Sequence, residues 1–350
     1  MLLVAGMSDR IPLDGIAGHA RRVEALGYDV LHVPETVHDS MTVSVLALHA
    51  TTRLRVQTSL TLAFPRSPML LALQAWDASA TSRGRFDLGL ATQIRQNIEG
   101  RFGVTWSDPL VRMSDYVDTV RAIWHSFATG EPLNSRTTSY TVDRLQPFFS
   151  PGPLPHDPPE ILLGGVNDGA IELAGRRADW FVTHPTNSHP RFVRERALPA
   201  LDRGRDASRR TPRIITASPM VTGRDRPAVD RSREAQRAVM AFLYSTPAYQ
   251  RSLELFGWPE LGPRLRAMTR SGEWNNLVTL MTDEVLHTLL PTAPWEELPA
   301  LLDRWYGGLV DGLVVQPPDD PADDPEFRAV LSAIAVIAPR HADGATNSST

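Results

Sequence analysis

The chain of 350 residues contains no cysteine. Disulfides, thiolate metal sites and a cysteine nucleophile are therefore excluded, and the absence fits a cytoplasmic location. Net charge is also scarce: 36 basic and 40 acidic side chains leave −4. So even a balance gives no electrostatic reason to expect nucleic acid or an anionic membrane as partner. The opening stretch, MLLVAGMSDRIPLDG, lacks a basic n-region and holds few apolar residues before Ser8 and Asp9. It reads as a first strand, not as a signal peptide or a membrane span. No GxGxxG opens a βαβ unit and no GxxxxGK[ST] occurs, which leaves a Rossmann domain and a P-loop unsupported. His125, His156, His184, His189 and His287 are scattered, with no H-E-x-x-H and no facial triad, so no metal site is expected. Solenoid repeats and domain linkers are missing too.

What is present alternates. With 42% hydrophobic and 22% charged residues the composition is that of a soluble globular protein. Eight short apolar runs recur: 2–6, 30–34, 54–62, 85–92, 160–165, 179–184, 213–220 and 311–316. Most lack the in/out alternation of a half-exposed strand, as parallel strands buried on both faces do. Between them lie segments of helical spacing, at 16–27, 70–80, 112–127, 170–178, 192–204 and 326–337. Eight strands alternating with helices predict an α/β chain folded as a (β/α)8 TIM barrel. The barrel is expected to fill residues 1–338 as a single domain, followed by a disordered tail over 339–350. Two stretches break the rhythm. Residues 128–158 read as a hairpin with a Pro-rich connection. Residues 221–310 read as a helical insertion before the last strand, placed to cover a site.

The stretch LHVPETVHDS, residues 31–40, ends a buried run with Glu35, His38 and Asp39. Active sites of parallel barrels lie at the C-terminal ends of strands. A histidine there can give or take a proton near neutral pH, and neighbouring carboxylates can fix its tautomer. A solvated turn explains the same residues, and spacing alone does not separate the two readings. His32, inside the run, is expected to pack or to line the barrel. Polar Thr58 and Ser59 interrupt the third run. The fourth opens at Thr92 into Gln93, Arg95, Gln96 and Asn97. The fifth ends in Gly164-Gly165-Val166-Asn167 before a helix, where backbone N–H groups can face an anion. Asn167 or Asp168 can cap that helix. Asp168 is a poor neighbour for phosphate.

Several segments, in order and spacing, resemble the bacterial luciferase-like family of flavin and deazaflavin oxidoreductases. They are LGYDVLHVPETVHD (26–39), residues 51–93, RMSDYVDTVRAIW (112–124) and residues 158–185. The Glu-x-x-His-Asp run and the Ala-Phe-x-Arg-Ser-Pro turn at 63–68 bring it nearest the group that uses coenzyme F420. The resemblance implies a (β/α)8 barrel with a helical insertion before its last strand, and a homodimer. It implies hydride transfer between the deazaflavin C5 and a small organic substrate. His38 would act as acid or base, and Glu35 would orient His38 or the ring, with Asp39 beside them. A non-prolyl cis peptide at Ser59–Leu60 would support the back of the ring. Thr92, Gln93, Arg95 and Asn97 would meet the cofactor's pyrimidine and ribityl groups, and Gly164, Gly165, Val166 and Asn167 its phosphate arm. Arg66 and Arg95 would serve the acidic tail. Ala91 stands where the family more often has glycine, and Arg95 and Asn97 where it has lysine and histidine. An FMN-dependent monooxygenase and a non-catalytic flavin-binding barrel remain as alternatives.

Overall fold

Eight parallel strands close into a ring in the computed structural model, which describes residues 1–341. The staves are β1 (Leu2–Gly6), β2 (Val30–Val33), β3 (Arg55–Thr58, resumed at Thr61–Leu62), β4 (Phe86–Ala91), β5 (Ile161–Gly165), β6 (Trp180–Thr183), β7 (Arg213–Thr216) and β8 (Gly312–Val314). Each pairs with its chain neighbours. The ring shuts where β8 pairs with β1, Leu3 opposite Leu313. The sequence's eight apolar runs are these eight strands.

Both faces of the staves are buried, which is why the runs do not alternate in polarity. Outward residues such as Leu31, Val33, Phe86, Leu88, Ile161 and Phe181 pack beneath the surrounding helices. Inward residues Val4, Val30, Leu162, Val182 and Ile215 form a second cluster inside the ring. The helices are α1 (Ile16–Leu26), α2 (Ser40–Ala50), α3 (Pro68–Ser82), α4 (Pro109–Thr129), α5 (Asp168–Arg177), α6 (Leu198–Gly204, reached through helical turns from Pro190), α7 (Leu298–Tyr306) and α8 (Asp324–Ala335).

The N-terminal end of the ring is sealed by charge. Asp29, Asp179 and Asp311 directly precede β2, β6 and β8. Their carboxylates accept the N–H of Leu3 (2.8 Å), Ile161 (2.9 Å) and Ile214 (2.8 Å) on the neighbouring strand. Inside that end, Arg55 pairs with Asp87 (2.9 Å) and Arg213 pairs with Glu160. The Arg213 guanidinium lies 3.8 Å from the Trp180 ring centre. Burial first, and then Asp87, push the Glu160 carboxyl above its usual range. This plug fixes strand register at the face that carries stability in such barrels, and leaves the opposite face for chemistry.

Residues Ser135–Arg136 and Thr141–Val142 form a short antiparallel hairpin after α4. The helical insertion is smaller than 221–310. Strands Val221–Gly223 and Thr292–Pro294 pair in parallel and close it off. The stretch after them is α7, whose Leu298, Leu302 and Tyr306 pack into the main core. The β7-to-β8 crossover needs a helix of its own, and this is it. The insertion has a separate core of Tyr244, Leu265, Met281 and Leu286, among others. Of the expected tail, Arg340 and His341 are fastened by their N–H groups to Val310 O and Asp311 Oδ1. Residues 342–350 lie outside the described residues. Among the described residues no helix is long and apolar enough to cross a membrane.

Candidate active site

Parallel strands put all their C-terminal ends on one face, so the segments after β2, β3, β4 and β5 open at the same mouth. Its inward positions carry small residues: Gly6, Ala91, Gly164 and Ala217. Leu60 lies across the floor between two of the strands. A Cβ on Gly89 would stand 2.7 Å from Leu60 Cδ2 and 1.9 Å from Thr58 O, and one on Gly164 would stand 3.0 Å from Leu60 Cδ1. Glycine is required at 89 because β3 breaks there and its backbone comes close. Thr58 Oγ1 accepts from Gly89 N (2.8 Å) and donates to Gly89 O (2.9 Å), which holds the break together. The Ser59–Leu60 peptide bond that follows is cis.

The carboxylates next to His38 point elsewhere. Glu35 receives Arg66 Nη2 at 2.5 Å and Nη1 at 3.0 Å, and also accepts from Leu62 N at 2.7 Å. Asp39 caps α2 by accepting from Thr42 N (2.7 Å), and its second oxygen meets Arg66. Burial opposes ionisation of Asp39, but Thr42 and Arg66 outweigh it and hold the carboxyl below its usual range. The expectation that Glu35 orients His38 is therefore corrected. A guanidinium fork matches two carboxylates better than one imidazole does, and Arg66 takes both. The same clamp removes Arg66 from service to a cofactor's acidic tail. His38 itself is half-buried and, among the described residues, makes no hydrogen bond. It faces a void of about 10 Å³ beside Met7, Ser8 and Thr36.

One layer deeper, His32 is buried within the ring. Its Nε2 lies 3.0 Å from Gln57 Oε1, and Gln57 Nε2 donates to Asp87 Oδ2 at 3.1 Å. Because the Gln57 amide gives its N–H to Asp87, its oxygen accepts, and Nε2 carries the His32 proton. Burial lowers the His32 pKa to about 4, so the ring is neutral at pH 7.

After β4, Thr92 Oγ1 donates to Gln93 O (3.1 Å), and Gln93 turns the chain with φ 59° while its Oε1 accepts from Ile94 N. Arg95 reaches outward to Glu99 at 3.0 Å and is 66% exposed, so it faces solvent rather than the mouth. Asn97 is half-buried, and its amide has no partner among the described residues. After β5, Gly165 lies close under α5, and Asn167 caps that helix by accepting from Ala170 N at 2.9 Å. Val166 O accepts from Asn187 Nδ2 (3.2 Å). Asp168 meets Arg251 of the insertion at 3.2 Å.

The insertion docks on the β5–β6 side of the mouth. Tyr249 stacks on His184 with ring centres 4.0 Å apart, Tyr244 OH donates to Thr186 O (3.1 Å), and Ser252 Oγ donates to Asn187 Oδ1 (2.9 Å). His184 Nδ1 accepts from Thr186 N, and burial lowers its pKa to about 4. Tyr249 was not legible in the sequence: nothing in TPAYQ signals a partner more than 60 residues away. Among the described residues no group of His, Asp and Glu could hold a metal ion.

Comparisons with known proteins bear on the fold and the family. An uncharacterised protein of Mycobacterium tuberculosis is 35% identical over 317 residues, covering 87% of this chain and 93% of that protein. The coenzyme F420 dependent tetrahydromethanopterin reductase from Methanopyrus kandleri superposes with a TM-score of 0.75 at 14% identity, over 96% of this chain and 98% of that one. EDTA monooxygenase from Chelativorans sp. BNC1 does so with 0.73 at 15%, over 99% and 96%. These likenesses to solved structures show a shared fold. The model of the luciferase-like monooxygenase family matches residues 3–312, and the chain belongs to that family.

Proposed function

We propose that this chain is an oxidoreductase that uses coenzyme F420 to exchange a hydride with a small organic substrate. One observation supports it above the others: among the described residues His38 is an imidazole without a partner, just after the C-terminal end of β2, while the carboxylates beside it are held by Arg66. The mouth suits a flat heteroaromatic ring. Leu60 offers an apolar shelf, packed from below against Gly89 and Gly164, and the Asn97 amide is unpaired among the described residues. When bound, the deazaflavin would supply hydride chemistry at its C5. His38 would give or take the proton that accompanies it. Ser59, Leu60, Thr92, Gln93 and Asn97 would hold the ring and its ribityl chain, and the turn 164–167 would present N–H groups to the phosphate. The insertion, pinned by Tyr249 and Arg251, would keep water from that side.

A second reading, an FMN-dependent monooxygenase, is favoured by the ion pairs of the rim. Arg66, Arg95 and Arg251 are already joined to Glu35 and Asp39, Glu99, and Asp168. That leaves fewer cations for a long acidic tail. Fluorescence titration separates the two. Tighter binding of F420 than of FMN is expected, and saturable FMN binding without any F420 response reverses the order. With bound cofactor, His38→Ala is expected to keep the wild-type affinity and lose turnover by about 100-fold, the lower range of general acid–base contributions. Unchanged turnover would remove His38 from the reaction.

The proposal includes a homodimer. Helix α2 is mostly apolar, and its Val45 and Leu46 and, on adjacent α3, Leu70 are exposed at 48%, 37% and 53%. Such helices are ordinarily covered. Sedimentation of a monomer at micromolar concentration would refute it.

A further inference from the structure

Beyond Thr183 the chain of β6 stays extended for one more residue: His184 has φ −78° and ψ 149°. Side chains alternate along such a stretch. Trp180 and Val182 belong to the cluster inside the ring, and Phe181 packs outward. His184 is therefore the next inward position, at the C-terminal end of the strand. Continuing the register that pairs Val182 with Ile215 sets it beside Ala217. The small inward residues of the mouth, Gly6, Ala91, Gly164 and Ala217, offer no side-chain donor or acceptor. His184 does. In the ring of eight, β6 stands four strands from β2 in either direction, so His184 lies across the mouth from His38.

The imidazole is fixed before any ligand arrives. Its Nδ1 lies 2.8 Å from Thr186 Oγ1 and accepts from Thr186 N at 3.3 Å. One ring face is covered by Tyr249 of the insertion, with an angle of 22° between the planes. With Nδ1 accepting, a neutral ring carries its proton on Nε2, and burial keeps the ring neutral at pH 7. Among the described residues Nε2 bonds no protein group, yet it keeps accessible surface. It is thus an uncharged N–H of set direction in the mouth. A neutral imidazole of this kind binds a carbonyl or hydroxyl oxygen, and the side-chain ordering that such a contact normally costs has already been met.

We propose that His184 is a substrate-binding residue, whose Nε2–H donates to a neutral oxygen of the substrate remote from the carbon that reacts beside His38, with Tyr249 holding the imidazole in place. This rests on the reading of the mouth as the reaction site. It adds a requirement on the substrate: a carbonyl, ether or hydroxyl oxygen on the side away from His38. The insertion then helps set specificity, because the ring that steadies His184 comes from it.

The test uses ligand-observed ¹⁹F NMR with two probes of similar shape, 4-(trifluoromethyl)cyclohexanone and trifluoromethylcyclohexane. Each is titrated against the purified protein, and again with saturating F420, or FMN if that binds instead. Saturable binding of the ketone is expected. His184→Phe, which keeps a ring against Tyr249, should weaken it at least about fivefold, the effect of losing one hydrogen bond. His184→Gln keeps an N–H near the Nε2 position and should stay within about twofold of the parent. The hydrocarbon should bind the parent and His184→Phe alike, a result that general damage to the mouth would not give. In [¹⁵N]histidine-labelled parent protein the His184 Nε2 resonance, assigned by its loss in His184→Gln, should move with the ketone and not with the hydrocarbon. That measurement decides if His184→Phe does not fold. No saturable ketone binding in either form of the protein, undiminished binding in His184→Phe, or an unmoved Nε2 resonance overturns the contact. Cofactor binding without any dependence on His184 would sink this inference and leave the redox reading standing. Dependence on His184 in protein that binds neither cofactor would do the reverse.

Discussion

Arg66→Met is expected to destabilise the protein by about 3 kcal/mol, the order found when one partner of a buried pair is removed. The side chain is 15% exposed and its main partner, Glu35, only 10%. Removing the guanidinium leaves the Glu35 carboxylate held by Leu62 N and Ser40 alone, with no countercharge. Asp39 is 42% exposed and contributes little to the loss, because water screens it. Geometry suffers as well as stability. Arg66 ties the segment after β2 to the resumed half of β3 through Glu35 and Leu62 O (2.9 Å). These are the segments that carry His38 and Leu60. Urea unfolding measures the first effect. The double variant Arg66→Met/Glu35→Gln should recover much of the loss, because the stranded charge is gone. A single variant as stable as the parent would show that the clamp is ornamental.

Stability is expected to fall steeply between pH 6.5 and 4.5, a loss that begins above the range in which ordinary carboxylates titrate. Burial lowers the pKa of His32 and of His184 to about 4, from 6.5. For a base with a depressed folded pKa, the unfolded chain binds more protons. Stability is then fully present above 6.5 and is lost as pH falls toward 4. A shift of that size corresponds to about 3 kcal/mol for His32 across the whole window. His184 contributes in the same direction, and so does the lowered His189, which is less enclosed. The midpoint of urea unfolding at pH 7 and at pH 5 measures this. His32→Gln should flatten the profile by about one proton's worth, provided the variant folds. A midpoint independent of pH over that window would contradict the burial of these rings.

The barrel was legible because its signal is local. Eight buried runs such as VLHV and FDLGLA are strands on any account of parallel sheets, and the chain order supplies the ring. The positions of His38, Leu60 and Asn97 at one mouth follow from that ring without further information. What each side chain bonds to was not legible. Glu35 and Asp39 look equally near His38 in PETVHD, yet a residue 27 positions beyond Asp39 claims both. Arg95 looked available for phosphate, and the residue that takes it is one helical turn away, at Glu99. Helix α7 was read as part of the insertion because its apolar spacing resembles that of its neighbours. Only packing against the main core, through Leu298 and Tyr306, distinguishes it.

The account turns on four chain segments far apart in sequence forming one ligand mouth. Hydrogen–deuterium exchange with and without saturating F420, or FMN if that binds instead, tests this directly. Slower exchange is predicted together in residues 34–39, 59–66, 91–97 and 164–168, with none at the N-terminal ends of the strands. Protection confined to the opposite face, or to a single one of these segments, would contradict it.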